Sequence, residues 1–528
     1  MSLLEIEGLD LSIHGTEILH SVSFSVAPGQ IVGVIGESGS GKSMTAFAVM
    51  QLLPDGAECR GQVRLGGHDV LAMDERALCG MRGNEVGMVF QEPMTALNPI
   101  KPIGVQVAET ILIHEKVSRA EAMARAREAL NRCELPEEKF PMSRYPHELS
   151  GGQRQRVVMA MAIALRPKLL IADEPTTALD VTTQAEVLRL LKRLVREDGM
   201  GCMLITHDLA VVADMADEIV IMRRGEVVEA GATADVFTEM KHPYTRALFE
   251  ASGHQPDRVA QVEGTPLLEV RDVVRDYALP RTKLFQPQGY FRAVKGVSLT
   301  IERGESLGLV GESGCGKSTL TRAILGLEEV QSGEIRLDGE PVFSGHVPNR
   351  DVRRKMQVVF QDPYGSFNPR WKVAPLVAEP FHLLDARPAD WREQVAQVLE
   401  AVGIGADAME RYIHEFSGGQ RQRIAIARAL ILRPELVVLD EAVSALDVSI
   451  RAQILDLLAS LQEEFGLSYL FISHDLSVVR NVTDRVLVMQ SGEIVEEGET
   501  GAVFDNPQHA YTKQLIAAAP VLPDLGAA

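Results

Sequence analysis

A repeat that runs through the whole chain constrains the fold more than any other feature of this sequence. Five short motifs occur once in each half of the 528 residues, in the same order. Their spacing is nearly constant, and the last three pairs all lie 267 residues apart. Chance does not repeat five motifs in one order, so the chain contains a duplicated domain. The pairs are GESGSGKS at 36–43 and GESGCGKS at 311–318, FQEP at 90–93 and FQDP at 360–363, ELSGGQRQR at 148–156 and EFSGGQRQR at 415–423, ADEPTTALDV at 172–181 and LDEAVSALDV at 439–448, and ITHDL at 205–209 and ISHDL at 472–476.

The repeat predicts two domains, at 1–250 and 268–528, which a linker at 251–267 joins. The linker segment is rich in Gly, Pro and Gln and has no apolar periodicity. In each half, strand-like segments such as KLLIAD alternate with helix-like segments such as VVMAMAIAL. Such alternation is typical of a parallel sheet flanked by helices, so we expect an α/β fold.

Composition narrows the classes of function. The formal net charge of -20 argues against broad binding to nucleic acid, although it does not exclude a local basic groove. The longest unbroken apolar run, at 157–165, has nine residues, whereas a membrane-spanning helix needs about 20. The start, MSLLEIEGLD, has neither the basic nor the apolar stretch of a signal peptide. The five cysteines are scattered and form no CxxC pair, which favours reduced thiols in the cytoplasm.

The first repeated motif matches the phosphate-binding pattern G-x-x-x-x-G-K-[ST]. Its glycines let the backbone turn tightly and direct N–H groups at phosphate oxygens, while the following helix N-terminus adds a partial positive charge. The lysine can reach the β- and γ-phosphates, and the serine can bind Mg²⁺. These residues are Gly36, Gly39, Gly41, Lys42 and Ser43 in the first copy, and Gly311, Gly314, Gly316, Lys317 and Ser318 in the second.

An apolar strand that ends in two carboxylates also occurs twice. The first copy ends in Asp173 and Glu174, and the second in Asp440 and Glu441. Acids at the exit of a buried strand are costly unless they are paired or bound to metal. Because neighbouring side chains of a strand point to opposite sides, we expect the two aspartates to bind Mg²⁺. The two glutamates would then orient and deprotonate the water that attacks a phosphoryl group.

The motif LSGGQRQR places a serine and two glycines directly before an apolar helix. This arrangement presents a hydroxyl, free N–H groups and a helix dipole to an anion. Helix capping alone would explain Ser150. It would not explain why the two glycines recur with the serine in the second half, so we expect a functional role for Ser150, Gly151, Gly152, Ser417, Gly418 and Gly419.

In this order the motifs resemble those of ATP-binding cassette (ABC) ATPases, over essentially the whole chain and twice. The resemblance implies two tandem P-loop NTPase domains. Each would have a RecA-like parallel-sheet core, an antiparallel β subdomain and a helical subdomain. It also implies ATP and Mg²⁺ as cofactors.

The resemblance assigns roles to further residues. Gln91 and Gln361 match glutamines that sense Mg²⁺ and the transmembrane partner, Asp180 and Asp447 match the aspartates of the D-loop, and His207 and His474 match histidines that contact the γ-phosphate. The implied catalytic set is Glu174, Glu441, His207, His474, Gln91 and Gln361. The implied Mg²⁺ set is Ser43, Gln91, Asp173, Ser318, Gln361 and Asp440. The remaining implied nucleotide-binding positions are Ser38, Ser40, Met44, Gln153, Tyr277, Ser313, Cys315, Thr319 and Gln420.

Members of this family pack two cassettes head to tail around two ATP molecules. The resemblance therefore implies that the phosphate loop of each half works with the signature serine and glycines of the other half. Lys42 would face Ser417 and Gly419, and Lys317 would face Ser150 and Gly152. Closure on ATP and opening after hydrolysis would be the mechanical stroke.

The sequence departs from the family pattern at a few positions. Tyr277 matches an aromatic residue that stacks on adenine, whereas Ile13 or His14 lies near that place in the first half. Ala442 replaces a proline, and Met44 replaces a second hydroxyl residue. None of these changes removes a predicted ligand of phosphate or metal, so we expect two hydrolytic sites.

Finer features resemble the dipeptide/oligopeptide/nickel import subfamily. They include QEPMTALNP at 91–99, QDPYGSFNP at 361–369, HPYTRALFEA at 242–251 and HAYTKQLIAA at 509–518. Within the subfamily, the chain looks most like the fused ATPases of Yej-type peptide importers, which take up microcin C. The resemblance implies two transmembrane permease subunits, a periplasmic or extracellular substrate-binding protein, and a peripheral place on the cytoplasmic face of the bacterial inner membrane. It leaves the solute open.

Two other functions remain as alternatives. A soluble tandem ABC ATPase that acts on ribosomes or DNA would also have two cassettes, but its linker would be long and basic, unlike the segment at 251–267. A purely regulatory nucleotide switch would not need Glu174 and Glu441. Neither reading fits the sequence as well as an import motor, and we expect no nucleic-acid partner.

Overall fold

The computed structural model describes most of the chain: residues 2–90, 96–177, 179–258, 262–279, 281, 288–362, 365–444 and 446–522. The chain forms two compact units, residues 2–252 together with 520–522, and residues 253–519. Among the described helices, none combines the length and the apolar character needed to cross a membrane.

The first unit contains strands and helices that alternate after an initial hairpin. Its strands are β1 (Leu4–Ile13), β2 (Thr16–Val26), β3 (Ile31–Ile35), β4 (Ala57–Leu65), β5 (His68–Asp69), β6 (Val86–Val89), β7 (Leu169–Asp173), β8 (Gly201–Ile205), β9 (Glu218–Arg223) and β10 (Glu226–Ala232). Its helices are α1 (Lys42–Met50), α2 (Glu75–Met81), α3 (Ile103–His114), α4 (Arg119–Arg132), α5 (Gly151–Ile163), α6 (Val181–Asp198), α7 (Leu209–Met215), α8 (Thr233–Glu239) and α9 (Pro243–Ser252).

The second unit repeats this order, with an additional short hairpin at residues 343–348. Its strands are β11 (Pro266–Ala278), β12 (Tyr290–Glu302), β13 (Ser306–Val310), β14 (Ser332–Leu337), β15 (Glu340–Pro341), β16 (Phe343–Ser344), β17 (Val347–Pro348), β18 (Met356–Val359), β19 (Leu436–Asp440), β20 (Ser468–Ile472), β21 (Arg485–Gln490) and β22 (Glu493–Glu499). Its helices are α10 (Lys317–Ile324), α11 (Arg350–Lys355), α12 (Val373–Val377), α13 (Trp391–Ala401), α14 (Gly418–Leu430), α15 (Val448–Phe465), α16 (Leu476–Val482), α17 (Thr500–Asp505) and α18 (Ala510–Ala518).

A six-stranded, mostly parallel sheet forms the core of each unit. The described strands follow the order β10-β9-β3-β8-β7-β6 in the first unit and β18-β19-β20-β13-β21-β22 in the second. Strands β3, β7 and β8 are buried along their whole length, as expected for a sheet that helices cover on both faces. The predicted α/β fold is confirmed. Because β3, β7 and β8 are parallel, the residues that follow them meet at one edge of the sheet.

A second, antiparallel sheet lies in each unit, as the family resemblance implied. It has the strand order β2-β1-β4-β5 in the first unit and β12-β11-β14-β15 in the second. The hairpin β11–β12 is longer than its counterpart β1–β2, with Tyr277 paired to Phe291 near its tip.

The helices between β6 and β7 form the third part of the first unit. Apolar side chains of α3, α4 and α5 join one buried cluster, in which Val107, Ala126 and Val157 are fully buried. A corresponding cluster in the second unit contains apolar side chains of α12, α13 and α14. The cluster fixes the direction of α5, and so the direction in which its N-terminal residues Ser150 and Gly151 point.

Residues 254–258 of the predicted linker pack within the second unit. The guanidinium of Arg258 donates to the carbonyl oxygen of Val482 at 2.8 Å and pairs with Asp484. His254 lies 2.6 Å from the carboxylate of Asp456. These contacts hold residues 254–258 against α15 and the end of α16.

Candidate nucleotide-binding site

In each unit a glycine-rich loop connects the central buried strand to a helix. Loop 36–41 joins β3 to α1, and Lys42 is the first helical residue. Gly36 has φ 154°, and a Cβ there would lie 2.2 Å from the carbonyl oxygen of Met222. Gly311 repeats this geometry, with φ 152° and the carbonyl oxygen of Met489 at the same distance. Any larger residue would collide with the neighbouring strand, so the loop path requires glycine here.

The lysine of each loop folds over the loop backbone. Lys42 Nζ donates to the carbonyl oxygens of Gly36 at 2.7 Å and Glu37 at 3.0 Å. The hydroxyl of Ser40 is buried, and among the described residues it has no hydrogen-bond partner. An unpaired buried hydroxyl is costly, so the first loop fits a ligand that brings hydrogen-bonding oxygens to it. Lys317 makes the equivalent contacts in the second unit.

The aspartate at the end of β7 lies against the phosphate loop. Asp173 is 3% exposed, and the hydroxyl of Ser43 donates to its Oδ1 at 3.2 Å. Burial raises the pKa of Asp173 and outweighs the lowering effect of the Ser43 hydroxyl. A buried carboxylate beside a hydroxyl presents the oxygen ligands that Mg²⁺ prefers.

The glutamate that follows points to a histidine. Glu174 has φ 46°, a left-handed conformation that is rare outside glycine, so its side chain leaves the direction of the strand. Its Oε1 lies 3.2 Å from Nδ1 of His207, and its Oε2 accepts a hydrogen bond from the Thr177 hydroxyl at 2.8 Å.

These contacts decide the charge of Glu174. Burial by itself raises the pKa of this carboxyl group. The hydrogen bond and charge of His207, the Thr177 hydroxyl and the charge of Lys42 outweigh burial and lower the pKa to about 2. Glu174 is therefore a carboxylate at neutral pH.

The second unit repeats the carboxylate pair with one difference. Glu441 has φ 51°, and its Oε1 lies 3.3 Å from Nδ1 of His474. Burial raises the pKa of Asp440, whereas His474 and Lys317 lower that of Glu441 against the effect of burial. Ser444, which corresponds to Thr177, donates at 2.9 Å to the backbone carbonyl oxygen of Glu441 and not to its carboxylate.

The structure describes only one of the two glutamines predicted near the metal. Gln91 lies outside the described residues. Gln361 lines a cleft of about 650 Å³ together with Asp440. The cleft is bordered by the ends of β18 and β19 and by Arg428 of α14. Gln361 is thus placed on the same cleft as the carboxylate of its unit.

The serine of each signature motif caps a helix. Ser150 Oγ accepts from the backbone N–H of Gln153 at 3.3 Å, and the Gln153 side chain accepts from the Ser150 N–H at 3.0 Å. Ser417 and Gln420 make the same reciprocal pair. Ser150 and Gly151 are exposed, so capping does not remove this helix end from solvent.

The second glycine of each signature has a packing role. A Cβ on Gly152 would lie 2.1 Å from the Thr183 side chain of α6, and one on Gly419 would lie 2.6 Å from Ile450 of α15. The D-loop residue Asp180 caps α6, accepting from the N–H of Thr183. In the first unit the signature helix and the D-loop therefore meet at Thr183.

Tyr277 lies beside the helix of the second phosphate loop. Its hydroxyl donates to Glu328 Oε2 at 2.6 Å and lies 3.4 Å from the Thr319 hydroxyl. The Arg275 guanidinium stacks 4.7 Å from the ring centre. The corresponding first-unit positions hold Ile13, Met44 and Leu53, which cannot form such a cluster.

Sequence reasoning missed some residues of these sites. It did not single out Thr177, which bonds Glu174, or Tyr244 and Tyr511, whose hydroxyls contact the phosphate loops. A usable signal was present for the tyrosines, because they lie 267 residues apart, the spacing of the signature and histidine motifs.

Comparison with known proteins agrees with this geometry. The ABC transporter family matches residues 19–177 and 294–444, and the oligopeptide/dipeptide transporter C-terminal region matches residues 228–266 and 495–526. The glutathione import ATP-binding protein GsiA of Shigella dysenteriae serotype 1 (strain Sd197) is 45% identical, over 98% of this chain and 90% of that protein. Its counterpart from Escherichia coli (strain K12) is 44% identical over the same shares.

Among solved structures, cbiO1 from Clostridium perfringens, part of the ABC transporter complex cbiONQ, is 29% identical. It matches 46% of this chain and 92% of its own, with a TM-score of 0.40. The family match covers more than half of the chain, and the GsiA relatives match nearly all of it. The chain therefore belongs to the family of ABC transporter ATP-binding proteins.

Proposed function

We propose that this chain is the ATP-hydrolysing motor subunit of an importer for peptides or peptide-like solutes, with one ATP site at each phosphate loop. The observation that carries the proposal is the presence, in both units, of the same lysine-over-loop geometry and the same Glu–His pair at the end of a buried strand. A unit that only bound nucleotide would not need the Glu–His pair.

The phosphate loop would bind ATP through its N–H groups, its helix N-terminus and Lys42. The hydroxyl of Ser43 and the carboxylate of Asp173 would hold Mg²⁺, which supplies charge neutralisation between the β- and γ-phosphates. Ser318, Asp440 and Gln361 would do this in the second unit. The buried carboxylate of Asp173 and the partly buried carboxylate of Asp440 support this assignment, because a cation offsets the cost of removing them from water.

Glu174 would orient the attacking water by accepting a hydrogen bond from it. A carboxylate with a pKa of about 2 is a weak base toward ordinary water. It can take the proton late, because phosphoryl transfer through a loose transition state needs little help from a base until the new P–O bond forms. His207 would fix the carboxylate through its Nδ1 and, as the family resemblance implies, would contact the γ-phosphate.

The solute class and the partners rest on the relatives. GsiA is a glutathione import protein by name, and glutathione is a small peptide. The oligopeptide/dipeptide C-terminal region occurs in both halves of this chain. We therefore assign peptides or peptide-like solutes, two permease subunits, a substrate-binding protein outside the membrane, and a place on the cytoplasmic face of the bacterial inner membrane.

Replacing both glutamates tests the proposed function. In Glu174→Gln/Glu441→Gln the amide keeps the shape but cannot take a proton, so ATP turnover is expected to fall by about 10²–10⁴-fold. Equilibrium binding of a fluorescent ATP analogue should stay within about twofold of wild type, because the phosphate loops are unchanged. In cells that carry only this variant, uptake of labelled di- and tripeptides should stop.

The matched control is Glu128→Gln, which removes an exposed carboxylate that pairs with Arg166 on the surface. It should turn over ATP and support uptake as the wild type does. Full turnover in the double glutamine variant would refute the assigned role of the glutamates. Normal peptide uptake with turnover abolished would refute the import role.

The pH dependence of the first site follows from its Glu–His pair. Burial raises the pKa of Glu174, and His207 makes the largest contribution to lowering it. Removing His207 should therefore raise the pKa of Glu174 from about 2. The carboxylate is then lost at a higher pH as the solution is acidified. In a Glu441→Gln chain, single-turnover rates of His207→Ala should fall further between pH 8 and pH 5.5 than those of the parent. A profile parallel to that of the parent would show that His207 does not set this pKa.

Each signature serine would serve the nucleotide held by the other half's phosphate loop, as the family resemblance implies. In a Glu174→Gln chain only the second phosphate loop hydrolyses ATP. Adding Ser150→Arg should then abolish the remaining turnover, because a bulky cation replaces the helix cap, whereas adding Ser417→Arg should spare most of it. ATP turnover at saturating ATP measures both, and the reverse pattern would contradict the crossed assignment.

A further inference from the structure

The last long helix of each unit carries a tyrosine that contacts the phosphate loop of the same unit. Tyr244 lies in the first turn of α9, and Tyr511 in the first turn of α18. Both side chains are buried, at 7% and 5% exposed. Both tyrosines lie within the segments that match the oligopeptide/dipeptide transporter C-terminal region. The nucleotide site, as described above, assigns no function to this region.

The contact is a hydrogen bond to one peptide group of the loop. The N–H of Glu37 donates to the Tyr244 hydroxyl at 3.2 Å. The carbonyl oxygen of the same residue accepts from Lys42 Nζ at 3.0 Å. The tyrosine and the phosphate-binding lysine therefore hold the two sides of one loop residue.

The second unit shows the same arrangement. The N–H of Glu312 donates to the Tyr511 hydroxyl at 2.9 Å, and Lys317 Nζ donates to the Glu312 carbonyl oxygen at 2.9 Å. The loops differ at Ser40 and Cys315, but this contact is common to both. Its recurrence argues for a role in the shared chemistry of the two loops.

The start of α9 is itself anchored, so the position of Tyr244 is fixed. The carboxylate of Glu229, on β10, accepts from the backbone N–H groups of Lys241 and His242 at 2.9 and 3.0 Å. It also accepts from the Thr245 hydroxyl at 2.5 Å. The Tyr244 N–H donates to Nδ1 of His242 at 3.2 Å. Because these hydrogen bonds fix the start of α9, the Tyr244 hydroxyl can hold the phosphate loop in place.

The same anchor occurs before α18. Glu496, on β22, accepts from the backbone N–H groups of Gln508 and His509 at 2.7 and 2.9 Å. Nδ1 of His509 accepts from the Tyr511 N–H at 3.2 Å. The second tyrosine is thus presented to its loop by the same backbone and histidine contacts as the first.

We propose that Tyr244 and Tyr511 are positioning residues for ATP binding, which hold the phosphate loop and its lysine in place through the N–H of Glu37 and Glu312. The proposal rests on the assignment of these loops as the ATP sites. Without the hydroxyl, the N–H of Glu37 or Glu312 loses this hydrogen bond and the loop relaxes. The lysine, which is bonded to the carbonyl oxygen of the same residue, moves with it. The family-specific C-terminal region is thereby part of the nucleotide site.

Phenylalanine variants separate the hydroxyl from the ring. Tyr244→Phe and Tyr511→Phe keep the ring and its packing but remove the acceptor. For the double variant we expect KM for ATP to rise about three- to tenfold, the range that one lost hydrogen bond covers, with kcat within about twofold of wild type. The binding affinity for a fluorescent ATP analogue should fall by the same factor.

Hydrogen–deuterium exchange provides a readout that needs no nucleotide. In nucleotide-free protein, peptides that cover residues 36–43 and 311–318 should exchange faster in the corresponding tyrosine variant. Peptides from the helices α5 and α14 should be unchanged.

Tyr469→Phe is the matched control. Tyr469 is 1% exposed, and its hydroxyl donates to the carbonyl oxygen of Leu458 at 2.9 Å, within the core of the second unit. This variant also loses a buried hydrogen bond, but one that is not made to a phosphate loop. It should leave KM and the exchange of residues 311–318 unchanged.

The outcomes separate the proposal from its premise. Faster loop exchange with a raised KM in the tyrosine pair, and neither in Tyr469→Phe, supports the proposal. Unchanged exchange and KM in the pair overturns it, as does an equal effect of Tyr469→Phe, which would mean general loosening. Faster loop exchange in a protein whose wild type binds no ATP would overturn the proposed function while leaving the loop contact intact.

Discussion

Two neighbouring carboxylates at the end of a buried strand are the constraint on which the rest of each unit depends. Asp173 is the last residue of β7 and Glu174 follows it. Two negative charges in a site from which water is largely excluded repel each other. The structure resolves this by sending one side chain to Ser43 and the other to His207. The left-handed backbone of Glu174 makes the divergence possible. A cation bound beside Asp173, as proposed above, would offset the negative charge on that side.

The fold follows from the same constraint. Strand β7 must be parallel to β3 and β8 for its last residues to reach the phosphate loop. The alternation of strand-like and helix-like segments predicts such a parallel sheet in both halves. For this reason the parallel sheet and the meeting of loop and acidic strand could be predicted from sequence. The phosphate loop, the Asp–Glu pair and the histidine each lie at or just after the end of a strand of this sheet, and the topology of the sheet brings these strand ends together.

Other parts of the site could not be predicted in this way. Thr177 contacts the carboxylate of Glu174, and Tyr244 contacts the backbone N–H of Glu37. The 267-residue spacing marks Tyr244 and Tyr511 as repeated positions, but a backbone partner leaves no mark in the sequence that shows which group they contact. The packing of Gly152 against Thr183 is likewise a tertiary contact, so the glycine looked only like part of an anion site. The sequence also predicts that the two acidic strand ends are equivalent. However, Thr177 bonds the carboxylate of Glu174, whereas Ser444 bonds the backbone carbonyl oxygen of Glu441.

The central claim is that the chain binds one ATP at each of its two phosphate loops. Equilibrium dialysis of labelled ATP with Mg²⁺ against the Glu174→Gln/Glu441→Gln chain counts these sites without interference from turnover. Two molecules of ATP bound per chain at saturation is the result that the account predicts. A plateau at one molecule per chain would contradict it.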